Sequence, residues 1–285
     1  MSVSGSGSSF TMKNGVISGN TGGGVSVSGI FTIEGGVPVS GSFTMEGGEI
    51  SGNTGRGVSV SGGFSSFIMK DGIISGNTAA SGGGESVDGG GVSVGAGVFT
   101  MEGGTISGNT AFFGGGVRVS YGSFTMKGGT ISGNTATSWG GGGVYVNHGS
   151  FTMEYGEISG NTAAFGGGVS VDGGVSVGDT GSFSKIGGII YGDSPTNTTH
   201  TPGSASNTAT SGSNPGENGH AVFYYKSGNY FYRNNTLNAG DNPNTATDTF
   251  PTGTGQTSGY WTKHVASVPL PPWRSRPRGR RVLLP

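Results

Sequence analysis

Side chains able to do chemistry recur in this sequence at fixed intervals rather than in one cluster. After each phrase F-T-M, or a near variant, comes a charged residue whose sign alternates once a short insertion at 31–41 is skipped. The series is Lys13, Glu46, Lys70, Glu102, Lys127 and Glu154. A row of carboxylates could serve general acid–base catalysis. Here Glu46 and Glu102 each fall between two Lys and Glu154 follows one, which reads instead as a charge ladder: opposite signs on neighbouring strands attract, and a slip of one repeat sets like on like. Polysaccharide lyase or hydrolase chemistry needs carboxylates clustered with Arg or Lys, or bound calcium. Asp88, Asp172 and Asp179 stand in Gly-rich loops of different repeats, with Glu85 and Asp88 the one tight pair, so no catalytic residue, metal ligand or cofactor is assigned. His148, His200, His220 and His264 show no ligand spacing and are expected at the surface.

Two further rows could recognise something. The outward Thr of the phrase (Thr11, Thr44, Thr100, Thr125, Thr152) would suit ice only with a second aligned Thr rank, and the other outward positions read as Glu, Lys or Gly. Phe112, Phe113, Trp139 and Phe165 fall at one variable corner of consecutive repeats, with Tyr145 and Arg118 outward on the adjoining segment. Two readings stand: the rings fold back and shield the corner, or they form a platform for sugar rings or a protein partner. The Asn of "SGNT" (Asn20, Asn53, Asn77, Asn109, Asn134, Asn161) lacks the N-x-S/T acceptor pattern and is read as a structural ladder passing amide hydrogen bonds between repeats. In the seventh repeat, "IIYGDS", Asp193 is expected in that slot.

The elements positioning these residues follow from the spacing. "FTMEGGTISGNT" at 99–110 returns as "FTMKGGTISGNT" at 124–135. The phrase starts at Phe10, Phe43, Phe67, Phe99, Phe124, Phe151 and, degenerately, Phe183; an Ile always follows seven residues later, at Ile17, Ile50, Ile74, Ile106, Ile131, Ile158 and Ile190. A third block, usually G-G-G-V-x-V, places Val25, Val58, Val92, Val117, Val144 and Val169. Alternation puts Val/Val, Phe/Met and Ile on one face of three short β segments separated by Gly corners. Corners every five to eight residues and β-branched composition argue against helices. The economical solution is an all-β, right-handed parallel β-helix over residues 1–193. It has three short strands per coil and about seven coils, rising about 4.8 Å each. The interval from Ile to the next Val runs 8, 8, 18, 11, 13, 11, which predicts insertion loops on one edge.

Composition agrees. Of 285 residues 65 are Gly without a G-X-Y period, while regularly spaced apolar residues argue against disorder. There is no Cys, and so no disulfide or thiolate site. A net charge of −1 provides no field for nucleic acid. No apolar run spans a membrane as a helix, and the first residues carry no recognisable secretory signal, as expected of a fragment of something longer. Residues 194–219 read as a polar linker or loop, 220–262 as a degenerate capping coil, and 263–285 as a disordered Arg/Pro-rich tail holding five of the eight Arg. The tail's alternative role is contact with an anionic surface.

G-G-G-V followed by a hydrophobic-x-x-Asn phrase such as Ile106–Asn109 resembles the paired GGA[ILV] and FxxN repeats of the chlamydial polymorphic outer-membrane proteins, with Ile in place of their Phe. The whole unit looks like the β-helical repeats of bacterial cell-surface proteins. The resemblance implies an extracellular or cell-surface passenger with a glycan or a host or neighbour-cell protein as partner. On this reading the chain is a non-catalytic adhesin or interaction scaffold of unknown oligomeric state. The rivals are a polysaccharide-active enzyme and a purely structural spacer.

Overall fold

A computed structural model places this chain in a parallel β-helix. It describes residues 1–5, 7–29, 40–79, 89–138, 140–173, 181–192, 205–210, 220–226, 229–233, 236–245, 248–250, 252, 257–258 and 261–263. Each segment type builds its own sheet along the axis. The F-T-M strands, Ser9–Met12 through Ser182–Lys185, form one seven-stranded sheet, and the I-S strands, Val16–Ser18 through Ile189–Ile190, form another. The V-x-V strands start an eleven-stranded sheet at Ser2–Ser4.

A fourth sheet, absent from the three-strand expectation, stacks two-residue strands: Thr78–Ala79, Thr110–Ala111, Thr135–Ala136, Thr162–Ala163 and Thr208–Ala209. Its last member lies in the stretch whose composition predicts a linker. Residues 205–210 return to the body and complete a rung.

Register follows the pattern of the sequence: Phe99 pairs with Phe67 and Phe124, Met101 with Met69 and Met126, and Ile106 with Ile74 and Ile131. A one-residue slip would turn every core residue outward, so a buried face fixes the pairing. The seven Phe rings stack with centroids 4.7–5.3 Å apart, and Val, Met and Ile fill the rest of one continuous core. Glycine is required where coils pass closest. A Cβ on Gly104 (φ +80°) would fall 2.6 Å from Met69 Cε and 2.7 Å from Gly72 O. One on Gly91 would fall 2.7 Å from Ile106 Cγ2 and 3.0 Å from Asn109 Nδ2.

The C-terminal end is closed by a change of direction. Val222–Lys226 adds parallel to Val169–Asp172, Asn229–Arg233 then runs back antiparallel, and Trp261–Lys263 joins it. Leu237 and Asn244 bridge antiparallel onto Ile190 and Ser184 of the last coil. Tyr224, Phe231, Phe250 and Trp261 cover the end of the core. The segment at 220–262 thus includes reversed strands where a degraded parallel coil was expected. Lys185 occupies the slot that Met holds in the other coils and is buried. Its ammonium donates to the carbonyl oxygens of Asn238 and Asp241, tying the cap to the core. Residues 264–285, with the Arg-rich tail, lie outside the described residues. Among the described residues no helix is long and apolar enough to cross a membrane.

Candidate functional site

The most regular polar structure is the Asn column. Each Asn donates from its backbone N–H and from Nδ2 to Oδ1 of the Asn one coil further on. Asn109, for instance, bonds Asn134 Oδ1 at 3.0 Å twice, and its Nδ2 also donates to Ile74 O at 2.9 Å. The chain of bonds runs from Asn20 through Asn53, Asn77, Asn109, Asn134 and Asn161. It ends at Asn207, not at Asp193: Asn161 donates to Asn207 Oδ1 from both nitrogens at 2.9 and 2.8 Å. Chemistry dictates the difference. The slot needs an acceptor facing one coil and a donor facing the other, and an ionised Asp offers acceptors alone. Asp193 itself lies outside the described residues. The signal was present in the sequence as "SNTAT" at 206–210, a copy of the N-T-A phrase of the earlier coils.

The charge ladder follows the pairing of the F-T-M strands: Met12 pairs with Met45, Met45 with Met69, and so on to Met126 with Met153. Lys13, Glu46, Lys70, Glu102, Lys127 and Glu154 therefore follow one another coil by coil. Among these six, Lys70 and Glu46 close an ion pair at 3.1 Å, with side chains 50% and 35% exposed. The other four extend from the same row without meeting. On the outer face of that sheet each strand begins one residue before the Phe, so a Ser rank (Ser9, Ser42, Ser66, Ser123, Ser150, Ser182) accompanies the Thr rank. The rank beside the Thr row is thus Ser, not Glu, Lys or Gly, and not the second Thr rank that ice recognition requires. It is broken at Val98, and the Thr rank at Ile68.

The aromatic corner lies against the V-x-V sheet. Arg118, Tyr145, Ser170 and Phe223 are cross-strand neighbours on its outer face, yet Tyr145 is only 4% exposed. Phe113 (3%) stacks on Tyr145 with centroids 5.0 Å apart, Phe112 meets Phe113 edge-on, and Phe165 (2%) packs on Phe223. Phe165, Phe223 and Tyr225 form a second apolar cluster outside the main core. Parity alone marks Tyr145 as outward; the corner folding over it makes it buried. Phe112 and Arg118 are the half-exposed members of the set. Trp139 lies outside the described residues.

Of the remaining candidates, His220 is buried, and its Nδ1 accepts from the Ala209 N–H at 3.1 Å, against the expected surface position. His148 is half-buried and stacks on Tyr121 at 5.1 Å. Asp172 is buried near Tyr224, whose hydroxyl pKa is raised by burial first and by that carboxylate second. Glu85, Asp88, Asp179, His200 and His264 lie outside the described residues. Among the described residues no three His, Asp or Glu side chains are grouped to hold a metal ion.

Corner lengths separate the variable parts from the constant ones. The F-T-M to I-S corner has one length in all seven coils. In sequence, added residues fall between the strands that flank the V-x-V sheet on both sides, at 30–39, 80–88, 174–180 and 211–219, and before Asn207 at 193–204, all of them outside the described residues. The one-edge expectation therefore widens to both borders of that sheet. Comparison of the chain with protein-family models, curated proteins and solved structures finds no match.

Proposed function

We propose that this chain is a non-catalytic interaction scaffold, displayed at a cell surface, that meets a glycan or protein partner through the corners bordering its V-x-V sheet. The supporting observation is the distribution of added residues: they enter chiefly beside one sheet, while the opposite corner keeps a single length. A solenoid built as a spacer alone has no need of such asymmetry, whereas sequence added chiefly beside one sheet of a rigid frame suits recognition. Surface display follows from the resemblance of the "GGGVxV…FTMxGGxISGNTA" unit to β-helical repeats of bacterial surface proteins.

The test compares wild type with a variant shortened at 80–88 and 211–219 to the five-residue Asn-to-Val corner of the first coils, on a glycan array and in pull-down from intact cells. Loss of binding by a variant with unchanged far-UV circular dichroism supports the reading. Equal binding by both proteins overturns it in favour of a spacer, and release of new reducing ends or unsaturated products from acidic polysaccharides overturns it in favour of an enzyme.

A further inference from the structure

The outer face of the F-T-M sheet is built of small hydroxyl residues except at its middle. Counted from Phe10, its first six strands, Ser9–Met12 to Ser150–Met153, all lie among the described residues and present Ser and Thr outward. Ile68 in the third coil and Val98 in the fourth interrupt them; Ile68 is half-exposed and Val98 43% exposed. The two stand on neighbouring strands, Ile68 beside Thr100 and Val98 beside Ser66. The face is also flat. Phe rings of successive coils differ in plane by 5–11° through these six coils, against 23° at the seventh. Along one border runs the charge row Lys13, Glu46, Lys70, Glu102, Lys127 and Glu154, and in the seventh coil Ile186 takes that position.

We propose that this face binds a second copy of the chain, with the two solenoids antiparallel about a two-fold axis that runs along the strands, between the third and fourth coils. The charges choose the arrangement. A two-fold along the solenoid axis would put the two charge rows on opposite borders of the contact, whereas one along the strands keeps them on the same border in reversed order. Passing through a coil, such an axis sets Lys on Lys; passing between coils, it sets Lys on Glu. Between the third and fourth coils it matches all six: Lys13 meets the partner's Glu154, Glu46 the partner's Lys127 and Lys70 the partner's Glu102. The same axis gathers Ile68 and Val98 of both copies at the centre, an apolar patch within a polar rim. Within one chain Lys70 and Glu46 alone of the six are paired, so the contact employs charges that the single chain leaves unused. Six coils about 4.8 Å apart, and strands of about five residues at about 3.3 Å each, give a footprint of roughly 450 Å² per copy. That is below the standard interface size, so the dimer should be weak and concentration-dependent. The inference stands apart from the reading above, because it uses a different sheet.

Sedimentation velocity of the full chain, from about 1 to about 500 μM in dilute buffer, tests it. A reversible monomer–dimer equilibrium is expected, weakened by high salt. Ile68→Thr combined with Val98→Ser installs the residues that the other coils carry, so the fold is kept, and should weaken dimerisation about tenfold or more. Lys70→Glu and Glu102→Lys each set like charges across the axis and should weaken it too. Combined, they return opposite signs across the axis and should restore the dimer, although they worsen the alternation within each chain. That rescue separates the contact between copies from the stack within one. A monomer at every concentration overturns the proposal and leaves the face to a different partner or to none. Unchanged affinity in the Ile68→Thr, Val98→Ser variant, or no rescue by the paired charge swap, overturns it as well.

Discussion

Replacing Asn109 by Ala removes one rung from the Asn column at its most enclosed point. The side chain takes part in four hydrogen bonds: it accepts from the Asn77 N–H (3.0 Å) and Nδ2 (2.9 Å), and it donates to Ile74 O and Asn134 Oδ1. All three Asn side chains are fully buried, so water cannot replace what is lost. At about 1 kcal/mol net per bond the change costs about 4 kcal/mol, with the orphaned Asn77 N–H as the most expensive remnant. That is a large share of a typical stability of about 5–15 kcal/mol. Asn20→Ala provides the control. The residue is exposed, and its Nδ2 donates to Ser18 O and Asn53 Oδ1 where solvent can take over, for a loss under about 1 kcal/mol. Urea unfolding followed by far-UV circular dichroism measures both, and amide exchange should show faster opening in the coils around 77–134 for Asn109→Ala alone. Equal losses for the two variants, or a loss below about 1 kcal/mol at Asn109, would refute the claim that the column stabilises the corner.

Other perturbations test separate parts of the fold. Glu46→Lys sets three Lys in succession and should cost about 0.3–0.5 kcal/mol in dilute buffer, vanishing at high salt, since the pair it breaks is solvated; a loss independent of salt would count against a charge ladder. Phe99→Ala opens a gap between Phe67 and Phe124 and should cost about 3–5 kcal/mol in the same unfolding assay. Burial holds the Lys185 ammonium below its ordinary pKa of 10.5, with Asp241 opposing. The unfolded chain therefore binds that proton more tightly, and stability should rise as pH climbs through the interval between the lowered value and 10.5. Tyr224 acts oppositely above its ordinary value of 10.0, so the measurement is the difference between wild type and Lys185→Met across that interval, where a flat difference would contradict the buried charge.

Strand parity and stacking made most of the body legible. Phe, Met, Ile and Val recur at spacings that leave one parallel register, and the Asn slot is filled by one residue type because one type satisfies both of its neighbours. Four features escaped for identifiable reasons. The N-T-A strands are two residues long, too short for alternation to mark them. Asn207 sits among polar residues, so hydropathy hides it while its phrase reveals it. Tyr145 points outward by parity but is buried, because burial there depends on where a neighbouring corner folds, and sequence spacing does not carry that information. The reversal of Asn229–Arg233 was invisible likewise, since alternating apolar residues look the same in either strand direction.

The Asn column also runs one way. From Asn20 to Asn161 each Nδ2 gives one bond to Oδ1 of the Asn in the next coil, so the Asn-to-Asn bonds run in one sense along the axis and reinforce one another. From Asn53 on, the same nitrogen gives its other bond to an Ile carbonyl of the preceding coil. At the far end Asn207 keeps the backward bond, to Ile158 O, and gives its other to Tyr191 O in place of a further Asn, and the series closes. At the near end Asn20 keeps an outward acceptor. A coil from elsewhere could be spliced into this stack in one orientation alone, because inverted it would set oxygen against oxygen on one side and donor against donor on the other. The molecule has a head and a tail at the level of single atoms, and assembly from exchanged repeats must respect that vector as well as the shape of the core.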